Sequence, residues 1–162
     1  MKLAKSVAAF LVAAPLALFC VGCGQSATAG GSTSSATDEA SQNTYTGTCR
    51  IITGKDLAEM DPEIDPAAFE SEYEDTFAIL EFDPPQKVYA RFAGDPDSYR
   101  DDETDMLCLA IDGELNKEGD LASWKQYDGK EITVTIDPEK TMWPSDVRLP
   151  IGRPHTTSAT VK

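Results

Sequence analysis

The sequence KEITVTID at positions 130–137 is the clearest structural signal in the chain. Its apolar residues Ile132, Val134 and Ile136 alternate with polar or charged residues, which is the period of a strand with one buried face. Pro138 follows directly and is expected to end the strand, because proline has no N–H to donate to a neighbouring strand. This stretch therefore predicts a β-strand that lies on an apolar core.

Weaker patterns of the same kind surround it along the chain. They predict further strands at residues 44–54, 76–83, 86–94 and 105–112, and a last strand at 155–162. Pro84 and Pro85 separate two of these strands, and the acidic residues 95–104 predict a polar loop. Residues 65–73 and 121–127 predict one or two short helices. The chain is thus expected to be all-β, with a small barrel or sandwich as its architecture.

Two segments near the end of the chain carry a resemblance to a known fold. YDGKEITVTID at 127–137 is followed by a proline-rich connection and by PHTTSATV at 154–161. This order resembles the end of an OB-fold barrel in small secreted bacterial OB-like domains of unknown function. The matching positions are Gly129, Lys130, Ile132, Val134, His155 and Thr156. The resemblance implies a five-stranded OB-like barrel over residues 45–162 and no particular function.

The first residues have the composition of a targeting segment. Residues 1–22 combine a positively charged start, an uncharged run at 7–19 and small residues, as secretory signal peptides do. The ending CVGC at 20–23 resembles the lipobox of bacterial lipoproteins, where the signal is cut just before a cysteine that carries the lipid. The resemblance implies a lipidated Cys23 and an extracytoplasmic protein held at the cell membrane by an N-terminal lipid. A cut before Cys20 and an uncleaved membrane anchor are the alternatives.

Residues 23–44, from the predicted lipidated cysteine onward, consist mainly of Ser, Thr, Ala and Gly. Such a composition cannot bury enough apolar surface to offset the entropy of the chain. The segment predicts a flexible linker with a root-mean-square span of roughly 25 Å between the lipid and the folded domain.

The charge balance excludes one class of partner. The chain has 28 acidic and 14 basic residues, and 21 of the acidic residues but only four of the basic ones lie between Asp56 and Asp120. Nucleic acid affinity depends on Lys and Arg side chains that displace counterions from phosphates. We therefore expect no nucleic acid partner. The remaining partners are the membrane, through the lipid anchor, and an unknown protein or small molecule.

Cys49 and Cys108 are the cysteines of the predicted domain. Because an exported domain meets oxidising conditions, we expect a disulfide between them. The bridge would close a loop of about 60 residues and stabilise the fold by roughly 4 kcal/mol in the chain-entropy model. Two separately buried thiols are the alternative.

Four residues in the connection before the last strand are candidate ligand-binding residues: Trp143, Arg148, Arg153 and His155. An aromatic ring beside guanidinium groups suits an anionic or planar ligand. The alternative is that Trp143 helps to cover one end of the barrel, while the arginines pair with carboxylates of the acidic region.

The sequence contains no motif that indicates catalysis. His155 is its single histidine, which allows no histidine pair for zinc, and there is neither a G-x-S-x-G elbow nor a glycine-rich phosphate loop. We therefore expect no catalytic residue, no metal site and no cofactor. The interpretation is a binding or interaction module that is not an enzyme. The alternatives are a structural cell-envelope lipoprotein without a small-molecule ligand, or an enzyme with no recognisable motif.

Overall fold

A computed structural model describes residues 43–62 and 64–162. The predicted signal peptide, Cys23 and the linker up to residue 42 lie outside the described residues. The described strands are β1 (Thr44–Thr53), β2 (Thr76–Phe92), β3 (Asp95–Asp112), β4 (Glu131–Thr135), β5 (Thr141–Trp143), β6 (His155–Thr156) and β7 (Thr160–Val161). The predicted all-β class is confirmed.

The helices are short and lie between the strands. They are α1 (Gly54–Met60), α2 (Leu121–Trp124) and the 3-10 helices Pro66–Glu72, Lys125–Tyr127 and Pro138–Lys140. Each of these helices except Lys125–Tyr127 begins at a side-chain cap, as at Thr53, whose hydroxyl accepts from Asp56 N over 3.1 Å. None of the described helices is both long and apolar enough to cross a membrane.

The strands form one seven-stranded sheet that curls into a partial ring. β1, β2 and β3 pair antiparallel in sequence order, and β1 also pairs with β4. The end of the chain joins the two sides of the sheet: His155 of β6 pairs in parallel with Cys108 of β3, and Val161 of β7 pairs with Val134 of β4. These last pairings are only one or two residues long, so the ring is partial.

The hairpin of β2 and β3 is longer than the sequence predicts. The two strands expected at 76–83 and 86–94 are the single strand β2, whose register with β3 shifts between Glu81 and Gln86, around the two prolines. The loop predicted at 95–104 is wrong, because these residues pair with the second half of β2. Their charged side chains suit the exposed part of a strand, where they oppose pairing with other chains.

Two apolar clusters lie on opposite faces of the β1–β3 sheet, as the alternation along β2 requires. Leu80 and Val88 belong to the first cluster, which residues from β1 to β5 surround, whereas Phe77 and Ile79 belong to the second. Residues of α1 and Leu149 cover the second cluster.

The structure corrects the predicted disulfide, because Cys49 and Cys108 are both free and buried. Cys49 pairs with Leu80 of β2 and Cys108 with Ile79, so that β2 lies between them. Two strand spacings amount to about 9.5 Å, which exceeds the Cα separation that a disulfide spans. The thiols also belong to different apolar clusters. The alternative of two separately buried thiols is the one observed.

Candidate functional site

The structure does not bring the four candidate binding residues together. Trp143 is only 2% exposed and belongs to the first apolar cluster. Its indole Nε1 donates a hydrogen bond of 3.1 Å to Val88 O. The guanidinium of Arg100 lies 4.9 Å from the indole ring centre and covers it. Trp143 is therefore a packing residue, and its assignment as a ligand-binding residue is wrong.

Arg153 holds the turn after Leu149 against the rest of the domain. Its Nε and Nη2 donate to the carboxylate of Asp105 over 3.0 and 3.1 Å, and its Nη1 donates to Asp61 Oδ2 over 2.8 Å. The guanidinium beside Asp105 holds the pKa of that carboxyl below its usual range. Because the carboxylates of Asp105 and Asp61 accept from its guanidinium, Arg153 has a structural role. This is what the alternative interpretation expected.

Arg148 and His155 do line a common cavity, which we call the β5–β6 cleft. It has a volume of about 460 Å³, within the range of small-molecule sites. Its charged lining consists of Arg91, Glu118, Glu139, Lys140, Asp146 and Arg148. Its apolar lining includes Phe92, Ile111, Met142 and Pro144.

The first charged cluster in the cleft is centred on Arg148. Its Nε donates to Asp146 Oδ2 over 3.0 Å and its Nη1 donates to Asn116 Oδ1 over 2.5 Å. Asn116 is held in turn by the buried carboxylate of Glu72, which accepts from Asn116 Nδ2 over 3.4 Å and from Leu149 N over 3.1 Å. Burial raises the pKa of Glu72. Glu72 thus fixes Asn116, which accepts a hydrogen bond from the exposed Arg148.

His155 is held beside Glu118, with Nδ1 3.8 Å from Glu118 Oε2. The interaction with His155 lowers the pKa of Glu118 below its usual range. Nε2 is buried and has no hydrogen-bond partner among the described residues. The His155 side chain is only 17% exposed. His155 therefore positions Glu118 and presents little of its own ring to the cleft.

The second charged cluster is contributed by the end of β2 and by the residues before β5. Arg91 Nη1 lies 3.7 Å from Glu139 Oε2, and Lys140 Nζ lies 3.9 Å from Asp137 Oδ2. The hydroxyl of Tyr99 donates to Glu139 Oε1. These ion pairs are exposed and longer than hydrogen bonds, so they contribute little to stability.

Exposed apolar side chains lie in and beside the cleft. Met142, which lines it, is 47% exposed. Leu115 and Val147 are 58% and 74% exposed, and they adjoin the lining residues Asn116 and Arg148 in the chain. Apolar surface beside a polar cavity is a feature of sites that bind a partner or ligand.

A second, smaller cavity lies between α1 and the turn at Pro150. It has a volume of about 80 Å³ and is lined mainly by apolar residues, among them Leu57, Met60 and Met106. It can hold little more than a few methyl groups. In the described part of the chain, no group of three His, Cys, Asp or Glu residues could hold a metal ion.

No known protein family, no curated protein and no solved structure significantly matches this chain. The features of the chain that bear on its function are therefore the geometry of the β5–β6 cleft and the sequence of the first residues.

Several lining residues of the cleft were not indicated by the sequence. Arg91, Glu118 and Glu139 come from three segments that meet only because β2 pairs with β5 and β3 with β6. The alternation along residues 86–94 predicts Arg91 on the exposed face of its strand, whereas Glu118 and Glu139 have no such signal in the sequence.

Proposed function

We propose that this protein is a lipid-anchored, extracytoplasmic module that binds a small polar ligand in the β5–β6 cleft. The observation that carries the binding part is the cleft itself, which combines charged groups of both signs with exposed apolar surface. The anchoring part is supported by the signal sequence and the lipobox-like CVGC at 20–23.

The electrostatics of the cleft favour a small ligand over a nucleic acid. The lining carries three basic and three acidic side chains, whereas the domain around it is strongly acidic. A nucleic acid backbone would need many unpaired Lys and Arg side chains. A small molecule needs only the few groups that the cleft offers.

Binding is favoured over catalysis by the state of the nucleophilic groups. Burial raises the pKa of the Cys49 thiol to about 11 and raises that of Cys108 as well, which makes both thiols inert at neutral pH. Nε2 of His155, the nitrogen that faces away from Glu118, is buried. We therefore assign the two thiols a role in packing, and His155 a role in positioning Glu118.

Cell fractionation of cysteine variants tests the anchor. We expect Cys23→Ala to leave the protein unprocessed or released, because the lipid acceptor is lost, while the matched control Cys20→Ala remains processed and membrane-bound. Normal processing and membrane retention of Cys23→Ala would contradict the proposed anchor.

Solvent mapping by NMR tests the site. Isopropanol and acetamide are titrated into the ¹⁵N-labelled full-length chain, and we expect the amide shifts to concentrate in residues 91–93, 142–148 and 155–157. Met142→Ser should weaken the isopropanol shifts, whereas the control Met60→Ser, in the smaller cavity, should not. Shifts that are scattered or absent would favour a structural envelope protein without a small-molecule ligand.

A further inference from the structure

We infer that the ligand of the β5–β6 cleft is a small zwitterion with an apolar body, such as a short peptide with free ends. This inference rests on the proposed binding function. It identifies the ligand class from the charges and the apolar surface that line the cleft.

Both signs of charge are available in the cleft. The Arg148 cluster and the Arg91–Glu139 cluster each contain a base and an acid, and the described ion pairs within them are solvent-exposed. Exposed pairs contribute little to stability, so a ligand charge can replace one partner of a pair at small cost. A zwitterion can therefore pair its carboxylate with the base of one cluster and its ammonium group with the acid of the other.

The carboxylate end of the ligand fits Arg148 best. The planar guanidinium can donate to both oxygens of a carboxylate, and it is already oriented by Asp146 and by Asn116. Asn116 is fixed through the buried Glu72, so the guanidinium has a rigid support on one side. An arginine side chain that is ordered before binding loses less conformational entropy when the ligand binds.

The ammonium end fits Glu139. One carboxylate oxygen of Glu139 accepts from the Tyr99 hydroxyl, while the other lies 3.7 Å from Arg91, beyond direct hydrogen-bond distance. That second oxygen can therefore accept from an ammonium group of the ligand.

The apolar body of the ligand can pack against the apolar side chains that line the cleft. Met142 is exposed in the cleft between chain segments that carry the two charged clusters, and Phe92 and Pro144 also line it. Methionine adapts its shape to different apolar groups. The volume of about 460 Å³ leaves room for more than one amino acid residue.

Calorimetric titration of the full-length chain at pH 7 and low salt tests the ligand class. The probes are alanyl-leucine, its N-acetyl form without the ammonium group, and its amide without the carboxylate. We expect alanyl-leucine to bind most tightly and each capped form to bind about tenfold more weakly, the value of one hydrogen-bonded charge. Capped forms that bind as tightly as the free dipeptide would overturn the inference.

Charge-neutral variants test each end separately. In Arg148→Gln, alanyl-leucine and its amide should bind equally, while the preference for a free amino group remains. In Glu139→Gln, the dipeptide and its N-acetyl form should bind equally instead. The matched control Lys117→Gln, an exposed lysine outside the cleft, should keep both preferences. Variants that leave both preferences intact would contradict the assignment of the two ends.

The two proposals fail in distinguishable ways. If isopropanol and acetamide map to the cleft but alanyl-leucine does not bind, the zwitterion is wrong and the binding cleft stands. If none of the probes binds there, both proposals are wrong.

Discussion

Trp143 lies in the first apolar cluster with its indole N–H satisfied by Val88 O. Truncation to alanine removes a large buried ring and leaves a cavity. We expect Trp143→Ala to lower the free energy of unfolding by about 3–5 kcal/mol, measured by chemical denaturation.

The control for this variant is Trp143→Phe, which keeps an aromatic ring but loses the hydrogen bond to Val88. It should cost clearly less than the alanine variant. If Trp143→Ala changes the stability by less than about 1 kcal/mol, far below the cost of emptying a core site, the indole is not a packing residue.

Asp75 is a buried carboxylate whose Oδ2 has no hydrogen-bond partner in the described part of the chain. Burial raises its pKa above the usual range; a hydrogen bond from the Glu114 backbone opposes this rise, and the charges of Glu114 and Asp112 add to it. A raised carboxyl pKa in the folded state means that the native protein takes up a proton at higher pH than the unfolded chain does. The charge of Asp75 therefore lowers stability as the pH rises from the unfolded pKa of about 3.9 through the folded pKa.

We expect Asp75→Asn to stabilise the domain at pH 7 by about 1 kcal/mol, the lower range for an unsatisfied buried group. The gain should vanish below about pH 4, where both states of the wild type are protonated. Denaturation curves at several pH values measure it, with the exposed Glu74→Gln as control. A loss of stability at pH 7 would contradict this account of Asp75.

At the scale of elements, the close approach of β1 to β2 at Glu81 depends on one small residue. A Cβ atom added at Gly47 would lie 2.3 Å from the Glu81 carbonyl oxygen, and a backbone atom cannot move aside as a flexible side chain can. We expect Gly47→Ala to destabilise the domain by about 1–3 kcal/mol, the usual cost of overpacking.

Thermal unfolding of Gly47→Ala beside Thr46→Ala, the neighbouring exposed side chain, measures this effect. Comparable melting temperatures for the two variants would show that β1 and β2 can move apart at Gly47 without a loss of stability.

The individual strands could be predicted from the sequence far better than their pairing. Ile132, Val134 and Ile136 alternate because one face of β4 is buried, and the structure places all three in the first apolar cluster. The outer part of β3 has no such signal, because its acidic residues lie on an exposed hairpin where both faces tolerate charge. The cysteine pairing depended on which strand lies between β1 and β3, and local sequence does not contain that information.

At the scale of the whole molecule, the candidate site is assembled from distant segments of the chain. The sequence indicated Arg148 and His155, since basic residues are concentrated near the end of an acidic chain. It did not indicate Arg91 or Glu139, which reach the same cleft because β5 joins the end of β2. Trp143 and Arg153 belong to the same segment but turn to the core and to the second cavity's rim.

Ligand binding in the β5–β6 cleft can be tested directly against binding in the smaller cavity, because methionines line both of them. Met142 lines the β5–β6 cleft, whereas Met60 and Met106 line the smaller cavity beside α1. The measurement is the NMR shift of each methionine methyl group, labelled with ¹³C in the full-length chain, during a titration with alanyl-leucine. We expect the Met142 methyl resonance to move in a saturable way while those of Met60 and Met106 stay in place. Movement of Met60 and Met106 with Met142 unchanged would place the ligand in the smaller cavity and show that the β5–β6 cleft is not the binding site.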